Sequence, residues 1–377
     1  MLRVALKMLF GDRAKYLTLV LGLAFATLLI NQQASFFLGL LVRATGPLQN
    51  VGQPDLWVLD PYTKWSAEYR PLEDRALDRV RSVPGVRWAE PFFNSFGNIE
   101  MADGSFQRCQ LIGLPRSSLI GRPPEMVEGS LDDLRSPDAV IIEESARAKL
   151  NNPKIGDTLK LNDRRAVIVG FCRAKKGFES NAVLYTTFDN AVQYTPTGRE
   201  RISYVLVKAQ DPSRVAEIRE AINAMGGLKA LTSEEFVQRT ILWVLAETGI
   251  GINFGITIVL GFVVGVALSG AIFYQFTNEN LKYFAVLKAL GARSRTLVSM
   301  VLLQALVAAL IGYGIGIGVT AIFSLSIATN PSSELNPVVP WQLLAGSGGA
   351  MLLCVLLASA FSLRRVITVS PARVFSS

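Results

Sequence analysis

The stretch from Leu17 to Val42 reads LTLVLGLAFATLLINQQASFFLGLLV and carries no charge. A helix of that length rises nearly 40 Å, against about 30 Å for the hydrocarbon core of a bilayer. We therefore expect a membrane helix whose polar run from Asn31 to Ser35 faces other helices or continues beyond the bilayer as a stalk. A signal peptide would also have basic residues ahead of an apolar run, but here the apolar sequence resumes at Phe36 without a convincing cleavage site.

Three further uncharged stretches follow a polar block at 43–247. The first of them contains Gly251–Gly255 and Gly261–Gly265, pairs at a spacing of four that permit close contact between helices, although glycine is common in membrane helices generally. Alternate glycines from Gly312 to Gly318 in the next stretch indicate local flexibility or tight packing. The pattern predicts a membrane protein with four transmembrane α-helices and a large α+β domain inserted between helices 1 and 2.

The charged residues are sorted around these stretches. Of 38 Lys and Arg residues, 27 lie from Arg43 to Glu247, and 27 of the 30 Asp and Glu residues lie there too. The net charge of +8 therefore comes from the two ends and the loop at 277–295, whereas the loop at 329–340 carries only Glu334. By the positive-inside rule, both termini are cytoplasmic and the large domain is on the other side. Because these basic residues act as topology signals, no nucleic-acid partner is expected.

The sequence divides into nine segments on this basis. They are a cytoplasmic interfacial helix at 1–16, transmembrane helix 1 with its stalk at 17–42, the α+β domain at 43–247, transmembrane helix 2 at 248–276, a helical loop at 277–295, transmembrane helix 3 at 296–328, a short loop at 329–340, transmembrane helix 4 at 341–363 and a cytoplasmic tail at 364–377. Inside the large domain, apolar periodicity predicts helices at 71–82, 143–150, 213–225 and 232–247 and strands at 86–93, 105–114, 158–161, 165–171, 182–185 and 203–208.

Residues that carry chemistry are scarce. The chain has no histidine, no GxxxxGK[ST] phosphate loop and none of the motifs GxSxG, HExxH and CxxC. The four apolar stretches contain no ionisable side chain, which disfavours an ion-coupled carrier or a channel. We expect no enzyme, no metal and no directly bound cofactor. Acid pairs such as Glu143–Glu144, and the basic pair Lys175–Lys176, are interpreted as solvated surface charge.

The three cysteines are Cys109, Cys172 and Cys354. Cys109 and Cys172 both fall on predicted strands outside the cytoplasm, where a disulfide could form, but two buried free thiols are the favoured interpretation. Cys354 lies in the last apolar stretch and is interpreted as a packing residue.

The loop after the second apolar stretch reads FTNENLKYFAVLKALGAR, from Phe276 to Arg293. Thr277 or Asn278 could cap a short helix that has Glu279 in its first turn and Gly291 just beyond its end. Its apolar face is wide for an aqueous loop and should be buried, either in the membrane interface or in a groove on a partner.

This loop, with the segments at 274–292 and 302–318, resembles the FtsX-like permeases of MacB-type (type VII) ABC transporters, and most closely their DevC-like branch. The tail from Leu363 to Phe375 is similar to that family's ending, with Pro371 and Ala372 at matching positions. Four stretches of the large domain are similar in outline: VRSVPGVR at 80–87, EGS at 128–130, VIIEESARAKL at 140–150 and IGD at 155–157.

The resemblance implies a homodimeric permease in a bacterial inner membrane, with the large domain in the periplasm. Two ABC ATPase subunits would bind it and would hold the ATP and Mg. Since few residues precede the first stretch, we expect the ATPase to be a separate chain. The coupling helix that contacts it would comprise Glu279, Leu281, Tyr283, Phe284, Val286, Leu287, Lys288, Leu290, Gly291 and Arg293.

In this family ATP-driven closure is relayed through the stalk to the periplasm, which is termed mechanotransmission. The resemblance implies export of a lipid or other amphiphile through a tripartite pump, with a periplasmic adaptor protein, an outer-membrane channel and membrane lipid as further partners. The alternatives are a regulator that activates a periplasmic cell-wall hydrolase, a lipoprotein-releasing permease and a peptide-sensing permease. The protein that binds the large domain discriminates between exporter and regulator.

Overall fold

The computed structural model describes residues 2–11, 13–68, 70–73, 75–179, 181–195, 202–330, 333 and 335–368. The chain forms two compact units. The membrane unit comprises Met1–Gly39, Ile250–Asn330 and Leu335–Ser377, and the soluble unit comprises Leu40–Gly249 and Pro331–Glu334.

Ten α-helices and ten β-strands lie in the described part of the chain. The helices are α1 (Leu2–Gly11), α2 (Arg13–Gln49), α3 (Ala76–Arg81), α4 (Phe188–Tyr194), α5 (Val215–Ala224), α6 (Ser233–Glu247), α7 (Ile250–Glu279), α8 (Leu281–Ala289), α9 (Ser294–Ala328) and α10 (Trp341–Thr368). The strands are β1 (Leu56–Leu59), β2 (Val86–Glu100), β3 (Phe106–Leu114), β4 (Glu125–Gly129), β5 (Ala139–Glu143), β6 (Thr158–Leu161), β7 (Arg164–Arg173), β8 (Ala182–Thr187), β9 (Tyr204–Ala209) and β10 (Lys229–Thr232).

Four helices among the described residues are long and apolar enough to cross a membrane: α2, α7, α9 and α10. With the strand-rich unit between the first and second of them, this confirms the predicted membrane architecture. Their shared core contains several small side chains, among them Ala26 of α2 and Ala308 of α9, together with larger ones such as Leu23 of α2 and Phe273 of α7. In lipid no hydrophobic force drives helices together, so their association depends on close packing, and small residues let the helix backbones approach closely.

The soluble unit is built on a mixed ten-stranded sheet. The strand order is β10-β1-β9-β2-β3-β8-β5-β7-β4, and β6 pairs with both β2 and β7. The pairs β3–β8 and β5–β7 are parallel, and the remaining pairs are antiparallel. Strand β2 is long enough to pair with β9 from Val86 to Phe92 and with β3 from Phe93 to Glu100, so it joins the two halves of the sheet.

Several predicted boundaries of the soluble unit were wrong. The helix predicted at 71–82 is confined to α3, because Leu72 instead forms a β-bridge with Ile202. The segment 143–150 is two short 3₁₀ turns that follow β5, with Glu143 as the last residue of the strand. Strands β1, β4, β5 and β10 were not predicted.

The membrane helices also differ from the predicted bounds. Helix α2 begins at Arg13 and continues past Val42 to Gln49, so residues 13–16 belong to it and not to the preceding interfacial helix. Its 37 residues correspond to a length of about 55 Å at 1.5 Å per residue. Helix α10 extends to Thr368, and the rest of the predicted tail, with Pro371 and Ala372, falls outside the described residues.

Candidate functional site

Helix α8 is the short helix between the second and third membrane helices. The prediction that Thr277 or Asn278 caps it was wrong, because α7 continues through Glu279. Asn280 occupies the N-cap position, but its side-chain amide donates back to the carbonyl of Phe276 at 2.8 Å and makes no capping bond to α8. Gly291 follows the helix with φ of +92°, a backbone conformation that favours glycine, and so ends it as expected.

One face of α8 is anchored in the membrane unit. Phe284 and Ala285 are completely buried, and Phe284 packs in a cluster with Ala5 of α1 and with Leu297 and Met300 of α9. Because these residues come from three helices, α1, α8 and the start of α9 share one hydrophobic core. Displacing α8 would therefore disturb the membrane helix that follows it.

A buried hydrogen bond strengthens this core. The side-chain amide of Gln304 on α9 donates to the backbone carbonyl of Ala5 at 2.7 Å. At the far end of α8, the ammonium group of Lys288 donates to the carbonyl of Ile367 on α10 at 3.0 Å. Helix α8 is thus attached to three neighbouring helices of its unit.

The opposite face of α8 is open. Tyr283 is 63% exposed, Val286 is 41% exposed and Leu290 is 79% exposed. Their spacing of three and four residues places them on one side of the helix. Exposed Lys282 and Arg293 flank this side. We call these five residues the α8 strip.

The predicted coupling residues therefore separate into distinct groups. Tyr283, Val286, Leu290 and Arg293 point outward, and Phe284 points inward. The side chains of Leu281, Leu287 and Lys288 are half-buried, Gly291 ends the helix, and Glu279 belongs to α7, where it accepts a hydrogen bond from Gln275. Sequence periodicity alone could not decide which half of an almost wholly apolar helix faces inward.

Two of the four glycines predicted to pack membrane helices lie against α2. A Cβ atom built on Gly265 would come within 2.9 Å of the Cβ of Ala26, and one on Gly261 would lie 3.4 Å from the Cβ of Leu29. A Cβ on Gly255 would meet no described atom within 4 Å, so Gly255 makes no such contact. Gly251 is half-buried at the start of α7.

The alternate glycines of α9 resolve into two rows. Gly312 and Gly316 face α2, where added Cβ atoms would come within 2.7 Å of the Cβ of Leu23 and 2.5 Å of the Cβ of Thr27. Gly314 and Gly318 face open space among the described residues. The close approach of α2 and α9 thus depends on a four-residue glycine spacing that the sequence analysis did not single out.

The polar run in α2 supplies an internal hydrogen-bond network. Asn31 and Ser35 are fully buried, whereas Gln32 and Gln33 are half-buried. The Oδ1 atom of Asn31 accepts from Ser347 of α10 at 2.9 Å, and Asn31 donates to the carbonyl of Thr27. Of the two alternatives for this run, an inward orientation within the helix bundle holds for Asn31.

Cys109 and Cys172 are free, buried thiols in different core clusters of the soluble unit. No disulfide joins them. Burial raises the pKa of each thiol to about 12, helped at Cys172 by the nearby charge of Glu143. Both are therefore unreactive packing residues.

Within the described part of the chain, no group of three His, Cys, Asp or Glu side chains comes together in a way that could hold a metal ion.

Comparison with known protein families accounts for nearly the whole chain. Residues 16–225 match the MacB-like periplasmic core domain, and residues 252–371 match the FtsX-like permease C-terminal domain. The chain belongs to the MacB-type, FtsX-like family of ABC transporter permeases. The first match covers most of α2 and the soluble unit through α5, and the second covers α7 from Ile252 onward with α8, α9 and α10.

Relatives of this permease occur in mycobacteria. It is 26% identical to an uncharacterized ABC transporter permease of Mycobacterium tuberculosis over 305 residues. This alignment covers 81% of this chain and 79% of the relative. It is 25% identical over 305 residues, with the same coverage, to an uncharacterized ABC transporter permease of Mycobacterium bovis.

Two solved structures match about half of the chain each. The periplasmic region of MacB from Actinobacillus actinomycetemcomitans matches with a TM-score of 0.38 and 20% identity, covering 51% of this chain and 94% of that one. The extracellular domain of the transporter YknZ from Gram-positive bacteria matches with a TM-score of 0.36 and 14% identity, covering 48% and 99%. The family assignment depends on the two domain matches and not on these scores.

Membership in this family has two direct consequences. The permease is not itself catalytic, and it works with an ABC ATPase partner.

Proposed function

We propose that this permease couples ATP hydrolysis by a separate nucleotide-binding subunit to conformational change in its soluble domain, and so drives export. The observation that carries the proposal is the two-sided construction of α8. One face is anchored by fully buried Phe284, and the other presents the exposed apolar residues Tyr283 and Leu290. A helix that is fixed on one side and open on the other can receive a partner and transmit its displacement.

The α8 strip has the composition of a helix that docks into a groove. Tyr283, Val286 and Leu290 provide apolar anchors at helical spacing, which is the pattern of helix-in-groove recognition. Lys282 and Arg293 at the margin suit a groove with an acidic rim, since complementary charges steer association and set orientation. The groove on the ATPase subunit is therefore expected to be apolar at its centre and acidic at its edge.

The distribution of basic residues supports a cytoplasmic position for α8. The loop at 277–295 carries four basic residues against Glu279, and both termini are also basic, so the positive-inside rule places all three on the cytoplasmic side. The soluble domain, inserted between α2 and α7, is then periplasmic. ATP and Mg would bind only to the partner ATPase.

Mechanotransmission fits a membrane unit without charge in its interior. The four predicted spans contain no Asp, Glu, Lys or Arg, so a polar cargo would find no charged path through the bundle. We propose a homodimer in a bacterial inner membrane that works with a periplasmic adaptor and an outer-membrane channel. A lipid or other amphiphile is the proposed cargo, on the DevC-like resemblance of 274–292 and 302–318.

The test is a pull-down of the tagged permease from its native membranes in mild detergent, with mass spectrometry of the bound proteins. Recovery of an ABC ATPase together with an adaptor supports the tripartite exporter. Recovery of an ATPase with a cell-wall hydrolase and no adaptor would replace export with the regulatory role. Absence of any ATPase, even with an ATP analogue present, would reject the proposed function of α8.

A further inference from the structure

The last turns of α2 lie in the soluble unit, where they contact the chain segment that leaves β7. We call residues 174–177 of this segment the strap. The side chain of Asn50, just beyond the helix, is buried against the strap. Its Oδ1 accepts from the backbone N–H of Lys175 at 2.8 Å, and its Nδ2 donates to the carbonyl of Lys175 at 2.8 Å. The side-chain amide of Asn50 thus bonds to both the backbone N–H and the backbone carbonyl of Lys175, as a residue of a neighbouring β-strand would.

The approach of α2 to the strap is unusually close. A Cβ atom on Gly46 would lie 2.5 Å from the backbone carbonyl oxygen of Lys176, so the contact requires glycine at this position. The ammonium group of Lys175 donates to the side chain of Gln49. Three residues at the end of α2 therefore hold one short piece of chain.

The strap in turn is held by strand β5 of the sheet. The ammonium nitrogen of Lys176 lies 3.9 Å from a carboxylate oxygen of Glu143, and both side chains are largely buried. Glu143 is the last residue of β5, and its carboxylate also accepts from the backbone N–H and hydroxyl of Ser145 at 3.1 and 2.6 Å. The expectation that the pairs Glu143–Glu144 and Lys175–Lys176 are solvated surface charge was therefore wrong for Glu143 and for Lys176.

A second attachment holds the same part of α2 to α6. The hydroxyl of Ser66 donates to the carbonyl of Ala44 at 2.6 Å, and the backbone N–H of Ser66 donates to the hydroxyl of Thr240 on α6 at 3.2 Å. Beside it, the ring of Trp65 stacks on Trp243 of α6 with centroids 4.8 Å apart. The link to α6 and the link to the sheet use different residues, so each can be removed separately.

We infer that Asn50 is a positioning residue through which displacement of α2 reaches the sheet of the soluble domain. The inference rests on the proposed function, since it concerns how motion generated by the ATPase is passed on. Helix α2 is continuous from Arg13 to Gln49. Asn50 and the strap connect its end to β5 through Lys176 and to β7 and β8 through the chain itself. Ser66 keeps the helix attached to α6 when the Asn50 bonds are removed, so a variant at Asn50 should fold.

The experiment measures distances between spin labels in the full-length permease bound to its co-purified ATPase in nanodiscs. Labels are placed through Arg164→Cys on β7 and Thr329→Cys beyond α9, both at exposed positions. The three native cysteines are buried and should not be labelled. Hydrogen exchange of α8 with and without an ATP analogue reports separately whether the ATPase remains docked.

Asn50→Ala is compared with Asn190→Ala, a half-buried asparagine in α4 whose side chain donates to Thr186 and does not contact α2. We expect the ATP analogue to shift the label distance in the wild type and in Asn190→Ala, and the shift to be lost in Asn50→Ala while α8 stays protected. Gly46→Ala, which forces the strap away but keeps Asn50, should lose the shift as well.

The outcomes distinguish failure of the role of Asn50 from failure of the proposed function. A distance shift that persists unchanged in both Asn50→Ala and Gly46→Ala would overturn the role of Asn50 and leave the proposed function standing. A wild-type complex that shows no nucleotide-dependent change at either the labels or α8 would overturn the proposed function, and the inference with it.

Discussion

Replacing Leu290 with aspartate should release the ATPase subunit from the permease without unfolding the permease. Leu290 is the most exposed apolar residue of the α8 strip, at 79% of its full exposure. Because little of its side chain is buried in the permease, the substitution should change the free energy of unfolding of the permease by no more than about 0.5 kcal/mol. The neighbouring Phe284 offers the contrast, since it is completely buried.

The size of the effect follows from the exposed area. Burying a full leucine side chain contributes about 1.5–3 kcal/mol, so docking the exposed part of Leu290 should contribute about 1–2.5 kcal/mol. Placing a carboxylate in the same pocket without a partner adds at least about 1–3 kcal/mol of cost. Since 1.4 kcal/mol corresponds to a tenfold change in Kd, the substitution should weaken ATPase binding about 30-fold or more.

The assay is a binding titration of the purified ATPase subunit against the permease in nanodiscs, with thermal unfolding measured in parallel. Leu290→Met keeps the apolar contact and should bind nearly as the wild type does. Phe106→Asp also replaces an exposed apolar side chain with a carboxylate, but in the soluble domain, and should leave Kd unchanged. If Leu290→Asp binds the ATPase with wild-type affinity, α8 does not dock there and the reasoning fails.

Three further predictions concern packing, thiols and pH. Gly316→Ala should lower the Tm of the solubilised permease because its Cβ would collide with α2, whereas Gly314→Ala, which faces open space, should not; equal Tm values would contradict the glycine packing. Cys109→Ser should leave mobility on a non-reducing gel unchanged, and a mobility shift abolished by this variant would reveal a disulfide. Partial burial raises the pKa of Glu235, but hydrogen bonds from Thr232 and the charge of Arg219 outweigh it and hold the pKa below its usual value of 4.5. Its contribution to stability is therefore present above about pH 4.5 and lost as the pH falls through the lowered pKa, so Glu235→Gln should flatten the acid limb of a stability–pH curve, and an unchanged limb would refute this.

The features predicted best from sequence were those with long, one-dimensional signals. Four uncharged stretches and the sorted basic residues around them required no knowledge of tertiary contacts, and the four membrane helices followed. The strand from Arg165 to Phe171 and the helix from Thr232 to Glu247 were also close to β7 and α6, since their apolar periodicity extends over several residues. A capping box between Thr232 and Glu235 marks the start of α6 directly.

The features missed were those decided by contacts distant in sequence. Strand β5 is buried on both faces, since Ala139 and Ile141 lie in one hydrophobic cluster and Val140 and Ile142 lie in another. Its five residues therefore carry no alternating pattern to reveal it. The prediction of a cap at Thr277 was wrong because Thr277 is buried within α7, which continues through Glu279 past the position where the local sequence would start a new helix. From sequence Lys176 is expected to be surface charge, because its partner Glu143 is distant in sequence and the contact appears only in the folded chain.

The candidate site was predicted in position but not in orientation. The sequence places a short apolar helix between the second and third membrane helices, with Gly291 at its end. Which side of that helix faces inward depends on the packing of Phe284 against α1 and α9, and that packing only the structure shows. The sequence therefore assigned Leu287 and Leu290 to the coupling helix without distinguishing them. In the structure Leu287 is half-buried, whereas Leu290 is exposed and open to a partner.

Docking of α8 on the ATPase can be tested directly by photo-crosslinking in native membranes, with a photoreactive amino acid placed at Leu290 or, as a control, at Phe284. We expect a covalent adduct between the Leu290 position and an ABC ATPase subunit, and no such adduct from the buried Phe284 position. Adducts from Leu290 with lipid alone, or equal adducts from both positions, would contradict the assignment of α8 as the surface that receives the ATPase.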